Sequence, residues 1–333
     1  MASVGAPWPA VVGVSGGSDS LALMFLLSDW ARKRRLRAPI VLCVDHAVRA
    51  ESASEARQVA AWAQAAGLAA HVLRSARPIA AQSDIEAACR ALRFRLIGEW
   101  ATKHKMRAIY LAHTLDDQAE TFLLRLARGS GVDGLSGMRP VARYPDPAFP
   151  HLSLVRPLLR FRRDDLRAYL EETGRAWLED PMNADVRFAR TRIRQAWPHL
   201  EALGLTRLRL ADAASHLGRA RAALDAASQA VIVRAFRPHG DGAAVDCRAL
   251  SEAPRELGLR ALAGILMLVG RRTYRPRFDS LEALFDSLSA ERIGNGRTLH
   301  GCRIAPAPRK YAVFGSRTLL VRPEKPRKTL GKG

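Results

Sequence analysis

The chain has 333 residues, 48% of them hydrophobic, which is enough for two compact domains with buried cores. Lysine and arginine number 53 against 32 aspartate and glutamate, and the resulting +21 is typical of polyanion-binding proteins, although genomic base bias also produces arginine-rich chains. No apolar run could cross a bilayer, the amino terminus lacks a secretory pattern, and the four separated cysteines offer neither a disulfide framework nor a Cys-x-x-Cys metal site, so we expect a cytoplasmic protein that binds no membrane.

The first half of the chain alternates predicted strands and helices. Short apolar runs predict four strands, at 11–14, 39–45, 69–73 and 107–113. Residues 52–55 and 83–86 have the capping-box pattern of helix starts. We therefore predict an α/β fold with a doubly wound, mainly parallel sheet between two layers of helices. Such sheets bind ligands at the carboxyl ends of their strands, here the loops after residues 14, 45 and 113.

The second half predicts a different architecture. An extended run at 151–159 precedes a helix that ends at Gly174. Residues 206 to about 236 predict a long helix, and two further helices, short hairpin strands and a basic tail follow. We expect one domain over 1–200 and a second, mainly helical domain over 201–333.

The loop after the first strand reads Ser15-Gly16-Gly17-Ser18-Asp19-Ser20. A glycine pair at a strand-to-helix turn lets the backbone approach a ligand, and the free N–H groups of the loop and the helix start converge on one point. That point suits an anion, most often phosphate, whereas a turn that only caps the helix is the alternative. The loop lacks the Gly-x-x-x-x-Gly-Lys-Ser/Thr spacing of kinase-type nucleotide loops.

Two further loops of the predicted sheet carry titratable residues. Asp45 and His46 end the second strand, where a hydrogen-bonded structural histidine is a more common alternative than a catalytic one. After the fourth strand, His113 precedes a helix on which Asp117 and Glu120 share a face. The helix dipole explains an acid in the first turn, but Glu120 lies a turn further in. The paired carboxylates therefore predict a site for Mg²⁺ or for a cationic substrate.

A fourth stretch, 178–194, combines an acidic, proline-containing start with four arginines within eight residues. Arg187, Arg190 and Arg194 have helical spacing and would form a cationic stripe. A solvated face is the common meaning of such a stripe. Contacts to phosphate or substrate are the interpretation that we favour here.

The loop 15–20 resembles the PP-loop of ATP pyrophosphatases, which split ATP into AMP and pyrophosphate. Together with VDHAVRAES at 44–52, HTLDDQAET at 113–121 and LEDPMNADVRFARTRIR at 178–194, it resembles the tRNA(Ile)-lysidine synthetase family. The resemblance runs from about residue 11 to residue 194, and the glycine-rich segment 128–138 is also typical of this family.

The resemblance implies an activity. Members of this family use ATP and Mg²⁺ to adenylate the carbonyl oxygen at carbon 2 of the wobble cytidine in a tRNA(Ile) with a CAU anticodon. The side-chain amine of free L-lysine then displaces AMP and forms lysidine. The domain over 1–200 would then be the ATP-binding catalytic domain, and the domain over 201–333 would bind the tRNA, whose backbone attracts the high positive charge. The sequence leaves the oligomeric state open, with a homodimer as one option.

The resemblance also implies roles for individual residues. The pyrophosphate end of ATP would be bound by Ser15, Gly16, Gly17, Ser18, Asp19 and Ser20, with Asp19 near Mg²⁺. Asp45 and His46 would lie near ATP, and His113 beside the reacting groups. Asp117 and Glu120 would bind the lysine ammonium. Arg190 or Arg192 would contact the lysine carboxylate or the nucleotide.

Three alternative functions make different demands on the sequence. A PP-loop tRNA thiolase needs paired cysteines, and Cys43, Cys89, Cys247 and Cys302 are far apart. A small-molecule amidotransferase ligase does not need a charge of +21. A non-catalytic RNA-binding module would bind tRNA without releasing pyrophosphate.

Overall fold

The computed structural model describes residues 7–47, 51–75, 85–179 and 187–324. The chain forms two compact units, the first ending at Gly218 and the second beginning at Arg219. This division lies further along the chain than the predicted domain boundary after residue 200. The predicted helix start at 83–86 extends outside the described residues, as does the basic tail. No helix in the described part of the chain is both long and apolar enough to span a membrane.

The first unit is built on one sheet. Its strands are β1 Val11–Gly13, β2 Ile40–Asp45, β3 Ala70–Arg74, β4 Ala108–Tyr110, β5 Val141–Arg143 and β6 Ser153–Val155, in the order β3-β2-β1-β4-β6-β5. Neighbouring strands are parallel, except that β5 and β6 are antiparallel. The predicted mainly parallel sheet is therefore confirmed.

Helices cover both faces of this sheet. The helices that lie wholly within the first unit are α1 Ser18–Lys33, α2 Ser52–Ala65, α3 Ile85–Lys103, α4 Leu115–Leu126, α5 Val132–Leu135, α6 Arg163–Glu172 and α7 Ala189–Ala202. Val12 belongs to a buried cluster with Leu21 of α1 and Leu170 of α6. Ile109 belongs to a second cluster with Phe94 of α3. Because successive strand side chains point to opposite faces, the two clusters define the predicted doubly wound arrangement.

The second unit combines helices with a five-stranded antiparallel sheet. Helix α8, Arg207–Ala235, leads into it and confirms the predicted long helix. The following elements are β7 Phe236–His239, β8 Gly242–Asp246, α9 Cys247–Ser251, α10 Arg255–Val269, α11 Phe278–Ser289, β9 Arg297–Leu299, β10 Cys302–Pro306 and β11 Thr318–Pro323. The sheet order is β7-β8-β11-β10-β9. Strands β7 and β8 were not predicted from the sequence. Strand β7 begins directly after the last residue of α8, so no stop signal separates the helix from the strand.

The start of α2 differs from its prediction. Glu51 is the N-cap, and the pattern at 52–55 does not form a capping box. The hydroxyl of Ser52 instead donates to Asp45 Oδ1 at 2.8 Å. The Ser52 hydroxyl therefore binds the buried Asp45 carboxylate at the end of β2, and no side chain of the described residues caps the start of α2.

Candidate active site

The loop 15–20 joins β1 to α1 as predicted. Gly16 has a φ of +97°, a left-handed conformation that favours glycine, and a Cβ there would lie 2.7 Å from Leu178 Cδ1. Ser20 Oγ donates to the Gly17 carbonyl oxygen at 2.9 Å and accepts from the Ser15 amide at 3.2 Å. No side chain caps the helix at Gly17. The loop is thus stabilised by its own hydrogen bonds, and the uncapped backbone N–H groups at the start of α1 are suited to an anion.

Asp45 and His46 lie at the end of β2, but their side chains make structural contacts. Asp45 Oδ1 accepts from the Ala47 amide and from Ser52 Oγ, both at 2.8 Å. Burial alone would raise the pKa of Asp45, but these bonds and Arg74 lower it. His46 Nε2 lies 3.3 Å from Arg93 Nη2, and burial and Arg93 lower the pKa of His46 to about 4.

The acids of α4 are buried. Asp116, Asp117 and Glu120 are 7%, 8% and 3% exposed. Asp117 Oδ2 accepts from the Thr114 amide at 2.8 Å, and Thr114 and Asp117 form a capping box at the start of α4. Asp117 Oδ1 and the carboxylate of Glu120 face a group of arginines. Asp117 and Glu120 therefore lie on one face of α4, where both contact the same arginine, Arg190.

Arg163, the first residue of α6, connects these acids to the loop 15–20, which we call the phosphate-type loop. Its Nε donates to Asp19 Oδ2 at 3.0 Å. Its Nη2 lies 3.5 Å from Asp117 Oδ1, and its Nη1 lies 3.6 Å from Glu120 Oε1. The backbone amide of Arg163 donates to Asp116 Oδ2 at 2.8 Å. The loop 15–20 and the acids of α4 therefore belong to one site.

The arginines of the fourth stretch contribute to the same cluster. Arg190 Nη1 lies 3.3 Å from Asp117 Oδ1 and 3.7 Å from Glu120 Oε2. Arg194 Nε donates to Glu120 Oε1 at 2.7 Å. Arg187 precedes α7 and is exposed, and Arg192, also exposed, donates to its carbonyl oxygen at 2.9 Å. The stripe is therefore neither solvated throughout nor continuous, since two of its three members pair with acids.

The pKa values of Asp19 and Asp117 shift in opposite directions. Burial raises the pKa of Asp19, opposed by Arg163 and assisted by Asp117 and Asp116. Burial also disfavours the ionised form of Asp117, but Arg163, the Thr114 amide and further cationic neighbours lower its pKa. Asp117 is thus held as a carboxylate, whereas Asp19 lies where a further cation would be favourable.

His113 and Arg156 follow β4 and β6, which are neighbouring strands. Burial, Arg156, Arg90 and Arg190 lower the pKa of His113 to about 4, against the opposite effect of Asp117. The structure therefore brings His113 to the same edge as Asp117, where it is neutral at physiological pH.

Sequence reasoning missed Arg163 and Arg156. The run at 151–159 predicted extended chain, and β6 lies within it. The rule that ligands bind beyond the carboxyl ends of parallel strands also covers the chain that follows β6, and it points to both arginines. Charge pattern alone could not, because arginine is common along the whole chain.

The donor set fits a Mg²⁺ ion that arrives with ATP. In the described ranges no group of three or more His, Cys, Asp or Glu side chains is arranged to hold a metal. Mg²⁺ is usually bound by one or two carboxylates together with substrate phosphates and water. Asp19, beside the loop and with a raised pKa, supplies such a carboxylate.

The cysteines are all free. Cys43, Cys247 and Cys302 are buried, and Cys89 is half-buried. Burial raises the pKa of Cys43 to about 12, so this thiol is unreactive at neutral pH. These positions do not supply the paired cysteines of a thiolase.

Comparison with known proteins is consistent with this geometry. Residues 8–200 match the PP-loop domain family. A tRNA(Ile)-lysidine synthase of Methylobacterium nodulans is 41% identical over 297 residues, covering 88% of this chain and 85% of that protein. A tRNA(Ile)-lysidine synthase of Ruegeria pomeroyi is 37% identical over 301 residues, covering 88% of this chain and 70% of that protein.

A solved structure shares the fold. A U34-tRNA thiolase from Methanococcus maripaludis superposes with a TM-score of 0.52 at 15% identity, covering 63% of this chain and 71% of that chain. At this identity the likeness concerns the fold alone. It supports the predicted doubly wound class.

Proposed function

The chain belongs to the tRNA(Ile)-lysidine synthase family, and we propose that it ligates free L-lysine to carbon 2 of the wobble cytidine in a tRNA(Ile) with a CAU anticodon. The ligation consumes ATP and passes through an adenylated cytidine, and its products are lysidine, AMP and pyrophosphate. One observation carries the proposal. The guanidinium of Arg163 contacts Asp19 of the phosphate-type loop and also Asp117 and Glu120, the acids suited to an amine.

ATP cleavage requires stabilisation of a leaving pyrophosphate. We assign its binding to Ser15, Gly16, Gly17, Ser18, Asp19 and Ser20. The N–H groups of the loop and of the start of α1 are fixed before the reaction, so they can stabilise charge as it develops. Mg²⁺, bound beside Asp19 together with ATP, would neutralise phosphate charge. Asp45 and His46 would order the neighbouring loop near the nucleotide.

Lysine must react as a neutral amine. With a reference pKa of about 10.4, only about one amine in 2,500 is neutral at pH 7, a penalty of roughly 4.6 kcal/mol. Asp117 and Glu120 would bind the ammonium and orient it towards the activated carbon, and one of them would accept its proton. Holding the amine next to the adenylate would lower the barrier further through proximity.

Two other groups would act beside these acids. His113 is neutral because of its lowered pKa, and it can hydrogen-bond the reacting groups without adding charge. Arg190, on Asp117 and Glu120, would turn to the nucleotide when a substrate ammonium takes over the acids. Exposed Arg192 would contact the nucleotide from outside the cluster.

tRNA would be held by the excess positive charge. Neutralisation of phosphates by lysine and arginine releases counterions, and a chain with a net charge of +21 is suited to this mode of binding. We propose that the second unit contributes to the grip and that the cytidine is flipped out of the anticodon loop for the reaction. A homodimer remains a prediction from the sequence, to be measured in solution.

Labelled lysine tests the proposal. The enzyme is incubated with ATP, Mg²⁺ and transcripts of CAU-anticodon tRNAs of the Ile and Met types. Incorporation into the Ile transcript alone is expected. Incorporation into neither transcript by folded protein would contradict the proposed function, and an RNA-binding module would give binding without incorporation.

A further inference from the structure

Arg156 is a buried cation that pairs with no carboxylate in the part of the chain that the structure describes. Arg156 and Arg260 are both buried, with 8% and 6% exposed. Arg260 donates to Glu256 at 2.7 Å and to Asp225 at 2.8 Å. Arg156 donates from Nη1 to the Arg139 carbonyl oxygen at 3.0 Å, and its buried Nε has no hydrogen-bond partner among the described residues. Because an uncompensated buried charge is costly, this arrangement favours an acceptor that the described residues do not supply.

The position of Arg156 places that partner in the candidate active site. Arg156 directly follows β6, and His113 follows β4, in which Tyr110 pairs with Val155 of β6. Both residues thus lie at the carboxyl edge of the sheet. The Nδ1 of His113 is a second buried polar atom without a hydrogen-bond partner in the described part of the chain. Two such atoms at adjacent strand ends suggest a ligand with polar atoms of its own.

The surrounding charge favours an anionic ligand. Arg90 of α3 is close enough to Arg156 to act with burial in lowering its pKa to about 10, which leaves Arg156 charged at neutral pH. Arg156, Arg90 and Arg190 all act on His113, opposed by Asp117. The Nε–H group of Arg156, which pairs with none of the described residues, can only donate, and a guanidinium binds a carboxylate or phosphate best.

The order of the strands indicates which anion this is. The phosphate-type loop follows β1, the acids lie on α4 after β4, and Arg156 follows β6, so the three lie in the order β1-β4-β6 along the sheet edge. Free lysine carries an ammonium and a carboxylate at opposite ends of its four-carbon side chain and α-carbon. Because the amine bound by the acids must face the activated carbon of the adenylate, the carboxylate of lysine would lie on the side away from the phosphates. Arg190, which contacts Asp117 and Glu120, is assigned above to the nucleotide once the ammonium binds, so Arg156 is the buried guanidinium left for the carboxylate.

We propose that Arg156, with Arg90 beside it, binds the α-carboxylate of the free amino acid whose side-chain ammonium is bound by Asp117 and Glu120. This inference rests on the proposed function. It makes Arg156 the residue that distinguishes an amino acid from an amine lacking a carboxylate.

Cadaverine, which is lysine without its carboxylate, tests the inference. Incorporation of lysine and of cadaverine into the CAU transcript of the Ile type is measured for the wild type and for Arg156→Met. The wild type is expected to prefer lysine at least about 100-fold in kcat/KM, as a site built around a polar group rejects an analogue without it. Arg156→Met is expected to lose most of this preference through a higher KM for lysine, with unchanged cadaverine use and tRNA affinity.

Exposed Arg90 provides a second variant in case Arg156→Met does not fold. Arg90→Ala is expected to reduce the preference in the same direction. Arg95→Ala, further along α3 and paired with Glu99 at 3.1 Å, is the matched control and should keep the wild-type preference.

Two outcomes would overturn the inference. The first is an unchanged preference for lysine over cadaverine in Arg90→Ala and, where it folds, in Arg156→Met. The second is a loss of tRNA affinity with unchanged preference, which would assign the group to an RNA phosphate. A wild type that incorporates no lysine would contradict the proposed function itself, so the two failures are distinguishable.

Discussion

Arg163 Nε donates to Asp19 Oδ2 at 3.0 Å, and this contact joins two residues that are 144 positions apart in the chain. The same guanidinium lies within 3.5 Å of Asp117 Oδ1 and 3.6 Å of Glu120 Oε1. Burial opposes the charge on Arg163, but Asp19, Asp117 and Glu120 raise its pKa above the usual value. A cation of the protein thus holds together the groups proposed for pyrophosphate and for lysine.

Arg163→Gln should weaken both the site and the fold. Its removal leaves three carboxylates with less compensation, and we expect a loss of roughly 1–3 kcal/mol in the free energy of unfolding, measured by chemical denaturation. Lysine incorporation should fall by about 10²-fold, as for other preorganised donors. Arg167→Gln is the control on the same helix, because Arg167 pairs with exposed Glu179. Equal effects of the two substitutions would contradict the role of Arg163.

Asp117→Asn should separate chemistry from RNA binding. The amide keeps the shape of the carboxylate but cannot pair with an ammonium or accept its proton, so lysine incorporation should fall by about 10²–10⁴-fold. The Kd for tRNA, measured by filter binding, should not change. Exposed Asp164→Asn, in the first turn of α6, is the control. Near-normal turnover by Asp117→Asn would remove this residue from the mechanism.

The sequence predicted the parts of the site that depend on local pattern. Alternating strands and helices located the edge of the sheet, and spacing along α4 placed Asp117 and Glu120 on one face. Contacts between distant segments were beyond local pattern, which is why Arg163 and Arg156 were missed. Ser52 shows the same limit, since its hydroxyl binds Asp45 of another element in preference to its own helix start.

Gly16→Ala should impair ATP binding as well as folding. A left-handed φ costs a residue with a Cβ roughly 1–2 kcal/mol, and the new methyl group would also displace Leu178, whose amide donates to the Gly16 carbonyl oxygen at 2.9 Å. We expect the Kd for ATP to rise at least about tenfold, or ~1.4 kcal/mol.

Gly67→Ala is the matched control for Gly16→Ala. Gly67 has a φ of +75°, and a Cβ there would meet nothing within 4 Å. It should lose similar stability through its backbone conformation but retain wild-type ATP affinity. Equal ATP affinity of the two variants would show that the loop tolerates the methyl group.

His46 should remain neutral across the physiological pH range. Burial and Arg93 lower its pKa to about 4, against Asp45, and Arg93 donates to Nε2, so the ring proton lies on Nδ1. Its pKa is lower in the folded than in the unfolded chain, where it is about 6.5. The contribution of neutral His46 to the free energy of unfolding is therefore complete above pH 6.5 and is lost as the pH falls from 6.5 towards 4.

NMR titration of the His46 ring measures this directly. The wild-type ring should titrate near pH 4, and Arg93→Gln should move the midpoint upwards, because one of the two effects that lower it is removed. A wild-type midpoint near 6.5 would contradict the contacts described at the end of β2.

Coupling between ATP cleavage and ligation tests the single site most directly. AMP and incorporated lysine are quantified in the same reaction with the CAU transcript of the Ile type, with either lysine or tRNA omitted in parallel. We predict equal amounts of AMP and incorporated lysine, and no AMP when either substrate is absent. AMP release that proceeds without lysine incorporation would contradict a shared site for the adenylate and the amine.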